Sequence, residues 1–177
     1  FIGSHLVKLF TLKYPNYKII NFDILSYASD LSRLNTIENN KNYNFIKGDI
    51  NDTNLLNEVF QKFKINSVIN LAAESHVDNS IKNPNKFAET NIMGTLNIID
   101  ISRSIRNLKS LVVITSDKCY LNKEFKKGYK EDDTLGGNDP YSASKASAEI
   151  IFNAYAKSFL NFQKKYGFAS ARAGNVI

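Results

Sequence analysis

The 177 residues are 43% apolar and 23% charged, an ordinary globular composition and enough chain for one sizeable core. No apolar run reaches the ~18 residues of a membrane span, no signal-peptide pattern opens the chain, and no His/Cys/Asp spacing marks a metal site. The net charge of +6 comes from nineteen Lys and four Arg scattered among many Asn; it reads as solvated faces, because a nucleic-acid stripe would cluster and favour Arg.

Apolar spacing over Ile2 to Tyr14 predicts a helix, broken at Pro15 and Asn16. Tyr17 to Phe22 reads as a strand ending in Asp23. Asn44 to Lys47 make a second strand, followed by Gly48, Asp49 and Ile50. Thr53 to Phe63 form an amphipathic helix with Asp52 or Thr53 as its cap. Ser67 to Leu71 give a third strand that runs into A-A-E-S-H. A long helix is expected over Lys86 to Arg106, then a buried β-branched strand over Leu111 to Thr115. Cys119, the only cysteine, ends an apolar run. It cannot form an internal disulfide, reads as a buried inert thiol and suits a reducing cytoplasm. The K-E-F-K-K run at 123 to 127 reads as a solvated loop. Pro140 opens another long helix, since proline is tolerated in a first turn, and this helix is expected to run to about Lys165. Ala169 to Ile177 begin a final strand.

Short apolar strands alternating with helices predict an α/β class: a doubly wound parallel sheet with both faces covered. Ligands in such sheets sit at the carboxyl ends of the strands, and Asp23, Asp49, Ala72, Ser116 and Asn175 all fall there. A dinucleotide fold also needs a first strand and a glycine-rich turn whose amides hold the pyrophosphate. Here Phe1-Ile2-Gly3 leads straight into a helix, so only Gly3 fits as the last glycine of that turn. With a stop inside a strand at Asn175-Val176-Ile177, both ends read as cut, and residues 1–177 read as one partial dinucleotide-binding domain.

The densest chemistry lies between residues 115 and 145, in T-S-D-K-C-Y and Y-S-A-S-K. Tyr141 and Lys145, four residues apart on a predicted helix, share a face about one turn apart. A phenol beside an ammonium makes a base near neutral pH, because the cation favours phenolate and pulls down a pKa that starts at ~10. Ser116 offers a third group for the same hydroxyl. Asp117 and Lys118 add a second acid/base pair.

The segments F-I-G-S-H-L, N-F-D-I-L-S-Y-A, K-G-D-I, L-A-A-E-S-H-V-D-N-S-I and E-T-N-I-M-G-T-L-N resemble the nucleotide-sugar 4,6-dehydratases of the extended short-chain dehydrogenase/reductases. In this half the likeness is to the dTDP-glucose enzymes. From residue 115 onward, T-S-D-K-C-Y, G-G-N-D-P-Y-S-A-S-K and S-A-R-A-G-N-V-I resemble the CDP-glucose enzymes. The resemblance implies a Rossmann-like domain binding NAD, acting on a nucleotide-diphosphate-glucose and working as a cytoplasmic homodimer, with no nucleic-acid or membrane partner. It implies that the first strand and the carboxyl-terminal substrate domain are absent, so that residues 1–177 alone bind NAD weakly and turn nothing over.

The resemblance also implies roles. Tyr141 takes the C4 hydroxyl proton, Lys145 holds the nicotinamide ribose, Ser116 orients the sugar, and Asp117 protonates the departing C6 hydroxyl. Lys118 stands where the dTDP-glucose enzymes place a Glu as C5 base; it serves as that base or stabilises the enolate. Asn175 and Ser75 contact substrate, and Ser75 and Thr90 match cofactor contacts. Gly3, Asp23, Asp49, Ile50, Leu71, Ala72 and Ala73 complete the cofactor set. Four of these have a plainer reading: Asp23 caps a turn, Asp49 opens a helix, and Ala72 and Ala73 are small only to pack. At the end of the second strand, Asp23 would bind adenosine ribose hydroxyls and repel a 2′-phosphate, which favours NAD over NADP. His76 reads as a satisfied structural histidine. A 4-epimerase needs Tyr141 and Lys145 but not the 117/118 pair; a nucleotide-binding chain without catalysis needs neither.

Overall fold

The computed structural model describes residues 1–160 and 167–176. Their contacts divide into two compact units, Phe1–Phe63 and Lys64–Ile177.

In the first unit, α1 (Ile2–Lys13) leads to β1 (Ile19–Asp23), a 3₁₀ turn (Leu31–Leu34), β2 (Tyr43–Lys47) and α2 (Thr53–Phe63). The two strands pair in parallel, from Ile19 against Tyr43 to Asp23 against Lys47. Asp52 is the cap of α2, its Oδ1 accepting from the Leu55 amide at 3.0 Å. Leu56, Val59 and Phe60 recur at helical spacing and are buried, as is Ile50. Gly48 is a place of close approach: a Cβ there would lie 2.4 Å from Phe22 Cζ.

In the second unit, β3 (Ser67–Asn70) is followed by α3 (Val77–Lys82), α4 (Pro84–Phe87), a π-helical segment (Ala88–Gly94) and α5 (Thr95–Ser104). Then come β4 (Ser110–Ser116), a 3₁₀ turn (Asp117–Cys119), α6 (Pro140–Tyr155), a second π segment (Ala156–Leu160) and β5 (Gly167–Ala173). The sheet order is β3-β4-β5, all parallel, with Ser116 opposite Ala173. β4 is central, and Leu111, Val113 and Thr115 alternate into the core with Ile98, Ile99, Phe87 and Phe152.

Three sequence expectations need correction. The helix expected over Lys86 to Arg106 begins earlier, at Pro84, and carries the π segment in its middle; the short α3 before it has too few residues to show a period. The final strand ends at Ala173, so Asn175 lies in the chain beyond it, while Ile177 is outside the described residues. Regular α-helix from Pro140 ends at Tyr155, and the expected end near Lys165 also lies outside the described residues.

Candidate active site

The carboxyl end of β4 and the first two turns of α6 build the centre of the second unit, and α6 packs against the 3₁₀ turn that follows β4. Ser116, buried, caps that turn: its Oγ accepts from the Lys118 amide at 3.1 Å and donates to Asp117 Oδ1 at 3.0 Å. Asp117 and Lys118 are exposed side by side, with Nζ 3.6 Å from Oδ2. The sequence T-S-D-K therefore places a hydroxyl, a carboxylate and an ammonium at one strand end. Cys119 then turns inward and is fully buried; burial pushes its thiol up to about 11, which keeps it protonated and inert.

Helix α6 starts where it does because Asp139 caps it. Its Oδ1 accepts from the Ser142 amide at 2.9 Å, its Oδ2 accepts from the Ser142 hydroxyl at 2.6 Å, and Pro140 fills the first turn. Gly137 lies against this start; a Cβ there would stand 2.4 Å from the Ala143 backbone nitrogen. Tyr141, half-buried, packs edge-on to Phe87 with ring centroids 6.2 Å apart. Lys145, one turn on, is 8% exposed, and burial pulls its ammonium down to about 8. Among the described residues no carboxylate forms an ion pair with it. A buried cation without an ion-pair partner costs stability and so marks a candidate functional site.

Other expected residues of this unit fall where ligands bind in parallel sheets. Leu71, Ala72 and Ala73 follow β3 directly, with the two alanines exposed, and Ser75 is exposed beside them. Thr90 lies half-buried in the π segment, and Asn175 is exposed two residues past β5. His76 is exposed at φ 76° with no side-chain capping bond, so it is not the satisfied structural histidine that was expected. In the first unit, Gly3 sits in the first turn of α1 with open space around its Cα. Asp23 and Asp49 both cap turns at strand ends: Asp23 Oδ1 accepts from the Leu25 amide at 2.7 Å, and Asp49 Oδ1 accepts from the Asn51 amide at 2.9 Å. The plainer reading of Asp23 is therefore present, whereas Asp49 does not open a helix, because α2 begins at Thr53 behind the Asp52 cap.

Sequence reasoning missed three residues. Asn91, in the π segment, is buried and braces two elements. Its amide nitrogen donates to Glu74 O and to Ser144 Oγ, and its Oδ1 accepts from the Glu74 amide at 2.9 Å. Glu149, fully buried two turns beyond Tyr141, accepts from the Thr115 and Ser170 hydroxyls and pairs with Arg172 at 3.0 Å. Arg172 in turn donates to Tyr120 Oη and to the Glu131 carbonyl, both at 2.9 Å. The one available signal was the Glu at the buried helical spacing, one turn past Lys145.

A family model described as GDP-mannose 4,6 dehydratase matches residues 1–164. The chain belongs to this family. Across 99% of its length, this family member is 40% identical to a dTDP-D-glucose 4,6-dehydratase of Dictyostelium discoideum, of which it covers 42%. Across 73% it is 42% identical to a CDP-glucose 4,6-dehydratase of Salmonella typhimurium, of which it covers 37%. Its fold matches a crystal structure of dTDP-glucose 4,6-dehydratase from Bacillus anthracis in complex with NAD. The TM-score is 0.78 with 34% identity, covering 96% of this chain and 50% of that one. The chain thus spans less than half the length of those two curated relatives. The α/β, doubly wound class expected from the sequence is the fold that this GDP-mannose 4,6 dehydratase family member shares with that structure.

Proposed function

We propose that this chain carries the acid/base centre of an NAD-dependent nucleotide-diphosphate-glucose 4,6-dehydratase acting on dTDP-glucose or CDP-glucose. The observation that carries the reading is the pairing of two sets in one unit: Tyr141 and buried Lys145 on α6, and Ser116, Asp117 and Lys118 on the strand end and turn against which α6 packs. An oxidation alone needs only the first set; an elimination needs a second acid and base.

When bound, NAD supplies the acceptor for the C4 hydride and its later donor to C6. Lys145 fits that cofactor, because its buried ammonium lacks a carboxylate partner among the described residues and is free for ribose hydroxyls. Ala72 and Ala73, small and exposed after β3, admit a ligand, and Asp23 favours the cofactor without a 2′-phosphate. Gly3, Asp49, Ile50, Leu71, Ser75 and Thr90 complete the proposed cofactor contacts, and Ser75 and Asn175 touch the sugar nucleotide. Residues 1–177 are proposed to belong to one NAD-binding domain.

Tyr141 takes the proton of the C4 hydroxyl while Lys145 supplies positive charge to the forming phenolate, and Ser116 orients the hydroxyl. Oxidation at C4 makes the C5 proton acidic, because its carbanion becomes an enolate. A base removes that proton, and Asp117 gives one to the C6 hydroxyl, which leaves as water. Lys118 is either that base or a cation for the enolate, in which case Tyr141 or a water moves the proton. The lone buried cysteine fits a reducing compartment, the cytoplasm. The full-length protein is proposed to be a homodimer, with exposed Ile81, Met93 and Ile150 among the apolar side chains a second copy would cover. Among the described residues no helix is long and apolar enough to cross a membrane.

Incubating the full-length protein with NAD and each sugar nucleotide tests this reading. The expected product from one of them is lighter by one water, and Asp117→Asn should slow water loss more than C4 oxidation, since an amide has no proton to give. A product of unchanged mass would sink the dehydratase reading.

A further inference from the structure

Resting on the dehydratase reading above, we infer that Arg172 is a positioning residue that pins the loop behind the elimination pair to the helix that carries the oxidation pair. Asp117 and Lys118 are exposed on a turn of three residues, held by Ser116 and by the Tyr120 amide, which donates to Asp117 O at 3.3 Å. The chain then runs through a long loop to Asp139. What fixes the start of that loop is a set of contacts around Tyr120. Tyr120 bridges Leu135, and the Leu121 amide donates to Thr134 O at 2.9 Å. The Gly136 amide donates to Cys119 O at 2.9 Å, and the Tyr129 ring stacks on Tyr120 at 5.0 Å.

Arg172 closes this set from β5. One guanidinium nitrogen donates to both Tyr120 Oη and Glu131 O, and the charge lies 4.8 Å from the centre of the Tyr120 ring. The other nitrogen donates to Glu149 on α6, two turns beyond Tyr141. Glu149 also accepts from Thr115, the residue before Ser116. The planar fork therefore joins β5, α6, the end of β4 and the loop in one network, and the two acid/base sets stand on opposite arms of it. Lysine presents a single point of charge and cannot hold both arms. Tyr120, Tyr129, Glu131 and Arg172 also wall a cleft of about 750 Å³ whose lining includes Asp117, so a slack loop would move the surroundings of that carboxylate.

Two variants of the full-length protein test the inference. Arg172→Lys keeps a cation for buried Glu149 but gives up the fork. Tyr120→Phe removes one acceptor and leaves the ring stack. In single-turnover reactions both should oxidise C4 at near the wild-type rate and then lose water more slowly, by up to ~100-fold for a misplacement on the order of 1 Å. Reduced nicotinamide should accumulate transiently, a spectroscopic signature that simple destabilisation does not give. Amide hydrogen exchange at Leu121 and Gly136 should quicken in both variants, while β4 amides keep their protection. Equal losses in both steps, or unchanged exchange at those two amides, would overturn the inference. A wild-type protein that loses no water from either sugar nucleotide would instead sink the dehydratase reading, and the exchange result would still decide whether Arg172 holds the loop.

Discussion

Lys145 sits on the inward face of α6, where an ammonium is costly. The unfolded chain holds its proton to about 10.5, whereas the folded one releases it near 8 because burial disfavours the charged form. Between those values the unfolded state binds more protons, so this group makes stability rise with pH; below 8 the full cost is present, up to ~3 kcal/mol. Lys145→Met should therefore be more stable than wild type at neutral pH, and the gap should close as pH climbs toward 10.5. Paired denaturant titrations across that range measure it, and a gap independent of pH would mean that burial does not set the proton affinity of Lys145. Tyr141→Phe keeps the ring against Phe87 and removes only the hydroxyl. C4 oxidation should fall by ~10²–10⁴, the usual loss of a general base, with the melting temperature little changed. Near-normal turnover would show that another group takes the proton. The sequence showed these two residues because helical spacing alone pairs them. It did not show Arg172, whose partners are 23, 41 and 52 residues distant in the chain, or Asn91, whose inward turn depends on a π segment that no local pattern announces.

At the scale of elements, the start of α6 decides where Tyr141 stands. Asp139, Pro140 and Gly137 fix that start, and of the three only Pro140 was read from the sequence as first-turn helix chemistry. Gly137→Ala forces a methyl into the backbone of Ser142 and Ala143, atoms that cannot rotate away. It should destabilise the protein by ~1–3 kcal/mol, as overpacking does, and weaken C4 oxidation through a displaced Tyr141. Thermal unfolding alongside activity checks both, and a neutral result would mean that the helix start can shift without loss. Arg172→Met leaves buried Glu149 without its cation and should cost ~3–5 kcal/mol, far more than Arg172→Lys. The strands were legible to within one or two residues because apolar β-branched runs mark them, and α2 because Leu56, Val59 and Phe60 repeat at its period. The length of β5 was not, since Ala173 and Gly174 carry no signal that pairing with β4 stops opposite Ser116.

Over the whole molecule, each unit is built on parallel strands whose carboxyl ends carry the polar residues, and this regularity made the fold class readable before any single role. The proposed 4,6-dehydration differs from an inversion at C4 in whether Asp117 and Lys118 act. Giving the full-length protein NAD with dTDP-glucose or CDP-glucose deuterated at C4, and locating the label in the product, separates the two. The dehydratase reading expects the deuterium on C6 of a 4-keto-6-deoxy sugar nucleotide, because the hydride taken from C4 is the one returned. Deuterium retained at C4 of an inverted sugar, or no product from either substrate, would contradict it.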